Sequence, residues 1–244
     1  FCTYCIIPYA RGPVRSRSID DIAEEVETLA KNGFKEVVLA GIHVASYGKD
    51  LEGTTLLDAI KRVHGVDGIE RIRFSSIEPN FATEEFVSEL AKLPKVCDHF
   101  HLSLQSGCNK TLKRMNRKYT AEQYIESAER LKKYFPNVAF TTDIIAGFPG
   151  ETEEDFEESY KFAEKIGFSK IHAFPYSPKT GTPAAKMPDQ VLNSVKNERT
   201  NRLISLSNRM ADEFIEGFVG KIMPVLYEQE IAEGVYEGYT TTYI

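Results

Sequence analysis

Val138-Ala-Phe-Thr-Thr-Asp-Ile-Ile-Ala-Gly-Phe-Pro-Gly-Glu-Thr152 reads as a buried strand, Val138 to Ile145, running through a glycine-rich loop into a helix. The helix, Glu153 to Ile166, opens on Thr152 with Asp155 three residues on, a capping arrangement with acids at the positive end of the helix dipole. A second strand follows at Lys170 to Phe174. Strand, helix and strand joined by short loops make a parallel unit, because parallel neighbours need a crossover of about a dozen residues or more. A phosphate-binding reading of the loop fails on chemistry. No Gly-Lys-Ser/Thr ends it, and Glu151, Glu153, Glu154 and Asp155 would repel an anion from the helix start. The glycines Gly147 and Gly150 let backbone approach a neutral, ring-shaped ligand.

The same alternation extends upstream. Ile19, Ile22, Ala23, Val26, Leu29 and Ala30 recur at helical spacing before Gly33, and Glu36 to Ala40 reads as a strand. Helices at Leu56 to Val63, Glu84 to Leu93 and Ala121 to Tyr134 alternate with strands at Ile69 to Ser75 and His99 to Leu104. Five strands are too few for a closed eight-fold barrel and suit an open α/β sheet or a partial barrel. Active sites of such folds lie at the carboxyl ends of the strands. There the sequence places Gly41-Ile42-His43, Ser75-Ser76-Ile77-Glu78-Pro79, Gln105-Ser106-Gly107 and the loop after Ile145.

Beyond Phe174 the pattern changes. Pro175 to Pro188 is a loop, Gln190 to Gly217 a long helix, and Met223 to Tyr227 and Tyr239 to Ile244 read as strands around a Gly-containing turn. The expected division is a core over 1–218 and, over 219–244, the start of a small β domain.

The 244 residues have 42% hydrophobic and 27% charged content and no apolar run near the ~20 residues of a membrane span. A net charge of −6 argues against a general nucleic-acid coat, although Arg11, Arg15 and Arg17 form one acid-free basic run and Lys110, Lys113, Arg114, Arg117 and Lys118 another. Four cysteines, at positions 2, 5, 97 and 108, are no disulfide framework and fit a reducing, cytoplasmic compartment. Cys2-Thr3-Tyr4-Cys5 is a spacing shared by zinc ribbons, redox dithiols and iron–sulfur loops. Zinc would need two further ligands from Cys97, His99, His101 and Cys108. His43 reads as a ligand or a hydrogen-bonded core histidine, and His64, His99, His101 and His172 have no partner readable from sequence. Glu78, Gln105, Arg117 and Asp143 are polar groups at strand ends that either pair with one another or hold a nucleoside-amino-acid ligand.

Taken together, Phe1 to Gly12, Leu39 to Gly48, Ser75 to Pro79, His101 to Gly107, Met115 to Tyr119, Thr142 to Thr152 and Phe174 to Pro178 resemble the methylthiotransferase branch of the radical-SAM superfamily. Within it, Gly41 to Gly48 and His99 to Gly107 look most like the enzymes acting on N6-threonylcarbamoyladenosine beside the tRNA anticodon. The relatives acting on isopentenyladenosine or a ribosomal protein are the near alternatives. The resemblance implies a partial (β/α)6 TIM-like barrel whose first strand, with the first cysteine of a C-x3-C-x2-C loop, precedes Phe1. It implies a [4Fe–4S] cluster with Cys2 and Cys5 as two ligands, and S-adenosylmethionine touched by Tyr4, Gly41 and Ile42. Glu78 and Gln105 would hold the cofactor's ribose and Arg117 its carboxylate, with Asp143 nearby. The implied chemistry is a radical formed from S-adenosylmethionine that takes hydrogen from C2 of the adenosine. The resemblance also implies a second cluster in an amino-terminal domain, a flavodoxin or ferredoxin as electron donor, and a carboxyl-terminal RNA-binding β (TRAM) domain. The tRNA contacts it suggests are Arg11, Arg15, Arg17, Lys110 and Lys113, and a fragment without these parts is expected to be inactive. A zinc-stabilised nucleic-acid-binding module is the contrasting expectation.

Overall fold

A computed structural model describes the chain from Phe1 to Ile244. A short helix, α1 (Ile7–Arg11), follows the cysteine pair, and α2 (Ile19–Lys31) starts where Ser18 accepts a hydrogen bond from the Asp21 amide. The alternation then runs β1 (Glu36–Leu39), α3 (Leu56–His64), β2 (Arg71–Phe74), α4 (Glu84–Leu90), β3 (His99–His101), α5 (Asn109–Arg114), α6 (Ala121–Tyr134), β4 (Ala139–Ala146), α7 (Glu153–Ile166) and β5 (Lys170–Pro175). Thr55, Thr120 and Thr152 open α3, α6 and α7 with reciprocal capping boxes, which is why these helix starts are sharp. The chain ends with α8 (Asn193–Glu216) and a hairpin, β6 (Val225–Ala232) and β7 (Val235–Thr240). No helix is long and apolar enough to cross a membrane.

β1 pairs with β2, and β3 with β4 and β4 with β5, all parallel. Bridges Ile72–Val96 and Ile77–Leu102 join β2 to β3, so the strands form one parallel arc in chain order. The helices follow round its outside, each against the next. Their apolar sides and the outward strand residues Ile72, Phe74, Phe100, Phe140 and Ile144 make the core. Each fully buried phenylalanine of that set contributes roughly 1.5–3 kcal/mol. This is the partial-barrel alternative, an arc with helices on one side only.

The inward face is polar. Glu36, Arg71, Arg73, His99, His101, Thr141 and Asp143 lie on it by strand alternation and register. Its lower end is filled by the carboxyl terminus. Arg71 donates to the carbonyls of Pro224 and Tyr239, Arg73 to those of Thr240 and Thr241, and Tyr243 lies 3.7 Å beneath the Arg73 guanidinium. Burial, with Arg73 beside it, pushes His99 down to about 3, so it stays neutral.

The carboxyl-terminal strands differ from the expected Met223–Tyr227 and Tyr239–Ile244. The hairpin turns at Glu233-Gly234, and Gly238 lies within β7, where a Cβ would sit 2.1 Å from the Leu226 carbonyl oxygen. Two glycines compete for the turn in the sequence, and cross-strand contact decides between them.

The loop after β4 is anchored by α8. Gly147 has φ 71°, and a Cβ on it would fall 2.4 Å from Lys196 Cγ. Glu151 accepts from the Gly147 amide at 2.8 Å and from Arg199 Nη1 at 2.9 Å. Its burial outweighs the guanidinium and pushes the carboxyl up to about 7. Replacing Arg199 by methionine removes the donors to Glu151 and lets that buried carboxyl take a proton. R199M should lose about 1–3 kcal/mol in urea unfolding at pH 7, and R199M/E151Q should lose less. A single-variant loss below about 1 kcal/mol would show that the pair does not anchor the loop.

Candidate active site

Six loops converge at the carboxyl ends of the strands. The cysteine turn is stitched down first: the Thr3 amide donates to Met115 O at 3.0 Å, Ala184 N to Thr3 O at 2.9 Å, and Asn116 Nδ2 to Phe1 O at 2.7 Å. Tyr4 packs edge-on to Phe148 at 6.1 Å, beside an apolar cluster of Met115, Phe148, Tyr176 and Ala184. Desolvation by that packing raises the Tyr4 phenol well above its ordinary range, so it is a neutral hydrogen-bond donor at neutral pH.

Arg117 is the hub. Its Nη1 donates to Cys2 Sγ at 3.1 Å and its Nε to the Tyr119 hydroxyl at 2.9 Å, while Nη2 lies 3.4 Å from Glu78. The Tyr119 oxygen is 2.8 Å from the carbonyls of both Ser103 and Leu104, which fixes the guanidinium against the end of β3. Burial works against the charge on Arg117, but the groups packed round it more than offset that, and its pKa rises. Glu78 is held below the usual carboxylate range by its hydrogen bond from His43 and, more weakly, by Arg117. His43 Nε2 is 3.1 Å from Glu78 and its Nδ1 2.6 Å from Ser46, so this histidine belongs to the site as a positioning group.

Gln105 adopts φ 65°, a left-handed conformation uncommon for a residue with a Cβ. Backbone bonds on both sides hold it, Gln105 N to Asp143 O at 2.8 Å and Ile145 N to Gln105 O at 3.0 Å. Tyr4, Gln105, Asp143, Ile145, Phe174 and Tyr176 line one cavity of about 230 Å³. Asp143 Oδ2 lies 3.4 Å from His101 Nε2.

The structure thus gathers Cys2, Tyr4, Glu78, Gln105, Arg117 and Asp143 on one rim. Gly41 and Ile42 are exposed beside it, with the Gly41 amide 3.3 Å from Ser75 Oγ. Arg17 is paired with Glu25 and Lys110 with Asp155, whereas Arg11, Arg15 and Lys113 are exposed. Sequence reasoning missed Tyr119, whose side chain faces inward from a segment with no periodicity to mark it.

No three His, Cys, Asp or Glu side chains converge as a zinc site requires, so Cys97, His99, His101 and Cys108 do not complete a zinc site with Cys2 and Cys5. Two soft thiols on one turn, with an Arg117 N–H at one sulfur, fit part of the ligand set of an iron–sulfur cluster.

The chain matches the family model described as the radical SAM superfamily over residues 1–163. It is 50% identical over 229 residues to tRNA-2-methylthio-N(6)-dimethylallyladenosine synthase of Acetivibrio thermocellus, covering 93% of this chain and 48% of the relative. It is 43% identical over 249 residues to the threonylcarbamoyladenosine tRNA methylthiotransferase of Bacillus subtilis, covering 100% of this chain and 55% of the relative. The chain therefore spans about half the length of these curated relatives. Among solved structures, coproporphyrinogen III oxidase from Escherichia coli superposes with a TM-score of 0.59 at 15% identity, over 86% of this chain and 50% of that one. That likeness is one of fold.

Cys2 and Cys5 are partly accessible, whereas Cys97 and Cys108 are buried. Burial also raises Cys97 to about 11, which denies it a thiolate at neutral pH. Iodoacetamide should alkylate Cys2 and Cys5 in the folded chain and the other two only after denaturation. Peptide mass mapping that finds Cys97 labelled as fast as Cys5 would contradict the placement of the β3 start.

Proposed function

The chain belongs to the radical SAM superfamily, and we propose that its parent protein transfers a methylthio group to C2 of N6-threonylcarbamoyladenosine beside the tRNA anticodon. The observation that carries this is the convergence of Cys2, Tyr4, Glu78, Gln105, Arg117 and Asp143 around one rim and cavity. The two tRNA methylthiotransferase relatives support the reaction class. The segments Gly41 to Gly48 and His99 to Gly107 support the choice of substrate.

When bound, a [4Fe–4S] cluster and S-adenosylmethionine supply the electron and the radical chemistry that opens a C–H bond. This chain's residues bind and orient. Cys2 and Cys5 hold the cluster from one turn. Arg117 presents a planar fork suited to the cofactor's carboxylate, pre-set by Tyr119 and Glu78. Glu78, kept ionised, accepts hydrogen bonds from ribose hydroxyls, and the Gln105 amide reaches the same sugar. Tyr4 and the exposed strip at Gly41 and Ile42 cover the cofactor's flank, with Asp143 at the cavity wall. Tyr4, Ile145, Phe148 and Tyr176 give the site an apolar side that excludes water.

The exposed cations Arg11, Arg15 and Lys113 are the tRNA-facing groups of this reading. Arg17 and Lys110 reach phosphate only by leaving Glu25 and Asp155. A second cluster, a flavodoxin or ferredoxin donor, a cytoplasmic setting, and 219–244 as the start of a TRAM-like RNA-binding domain belong to the same proposal.

Mass spectrometry of tRNA nucleosides from cells lacking the parent gene tests the assignment. The methylthio derivative of threonylcarbamoyladenosine should vanish and its precursor accumulate. Its persistence, with loss of methylthio-isopentenyladenosine instead, would overturn the substrate in favour of the other tRNA relative.

A further inference from the structure

The inward face of β5 carries Lys170, His172 and Phe174, in register with Thr141, Asp143 and Ile145 of β4. Asp143, Ile145 and Phe174 line the cavity, so Lys170 and His172 continue its wall deeper into the barrel. Both are exposed, and neither is committed to an ion pair or a side-chain hydrogen bond. The His172 ring lies parallel to His101 at 6.0 Å and 26°. His101 in turn sits between Thr141 Oγ1, 3.0 Å from its Nδ1, and Asp143 Oδ2, 3.4 Å from its Nε2. The one carboxylate on this wall is thus faced by His101. Glu36, across the arc, is held by Arg73. Lys179 adds a further cation at the cavity mouth. Lys170, His172 and Lys179 leave the wall with an excess of free donors.

We propose that His172 and Lys170 form a subsite for the carboxylate of the N6 substituent on the substrate adenosine, and so determine substrate choice. The inference rests on the functional reading above and deepens it. Two residues apart on one strand face, the side chains are about 7 Å apart at their roots, close enough for long donors to share one carboxylate. An apolar N6 substituent laid on the same wall would cover an ammonium and an imidazole and pair with neither. Sites built to hydrogen-bond a substrate reject the analogue that lacks the partner far more strongly than apolar sites reject an added group.

The test is fluorescence anisotropy of the full-length, cluster-reconstituted protein with three anticodon stem-loops. Their adenosine carries threonylcarbamoyl, its methyl ester, or no N6 group. Wild type should bind the free acid about tenfold more tightly than the ester. H172F should bring the two within about twofold, K170M should narrow the gap partly, and H172Q, which keeps a donor, should retain most of it. Because both side chains are exposed, each variant should melt like wild type, and K170M provides an independent reading if H172F does not. Wild-type discrimination that survives in both H172F and K170M overturns the subsite and leaves the functional reading standing. If wild type binds acid, ester and unmodified stem-loops equally, the functional reading fails and the subsite with it.

Discussion

A guanidinium taken almost wholly out of water must be satisfied by the protein, and Arg117 shows what that demands. Its side chain is 8% exposed. Desolvating an unpaired cation costs several kcal/mol, so each donor face needs a partner with good geometry. Glu78 comes from the loop after β2, the Tyr119 hydroxyl is held by carbonyls after β3, and Cys2 comes from the amino-terminal turn. One residue therefore ties three segments far apart in sequence. The cysteine turn relies on this contact together with the backbone bonds at Thr3, because its helix α1 buries no residue.

The parallel arc makes this meeting possible. Strands that all run one way bring all their carboxyl-terminal loops to one rim, and an arc in chain order brings neighbouring loops side by side. Helices cover only the outside, so the inward face need not be apolar. Arg71 and Arg73 pair with Glu36 and the carboxyl-terminal backbone at one end, and Asp143, Gln105 and Tyr4 surround a cavity at the other. Between them lies a histidine-rich wall. The two ends are joined by contact: Tyr243 packs on His99 at 4.6 Å, and His99 and His101 share the Thr141 hydroxyl.

Read alone, the sequence determined the helices and strands wherever a capping residue and a clear period coincide. The α6 and α7 boundaries at Ala121–Tyr134 and Glu153–Ile166 are those of the structure, because Thr120 and Thr152 cap them with side chains that satisfy backbone donors locally. It also marked the polar residues at the strand ends, since a charged group following an apolar run is conspicuous. Local chemistry writes such features, and they can be read without the fold.

Only the tertiary structure decided between the open sheet and the partial barrel that the residue pattern left open, because covering one face alone with helices depends on contacts that no short window records. It alone turned the hairpin at Gly234 rather than Gly238, separated Arg17 and Lys110 from the free cations, and recruited Tyr119 and His43 to the site. Each of these rests on contacts between segments distant in the chain. The energy of such a contact depends on how deeply both partners are desolvated, a property of the assembled molecule and of no residue by itself.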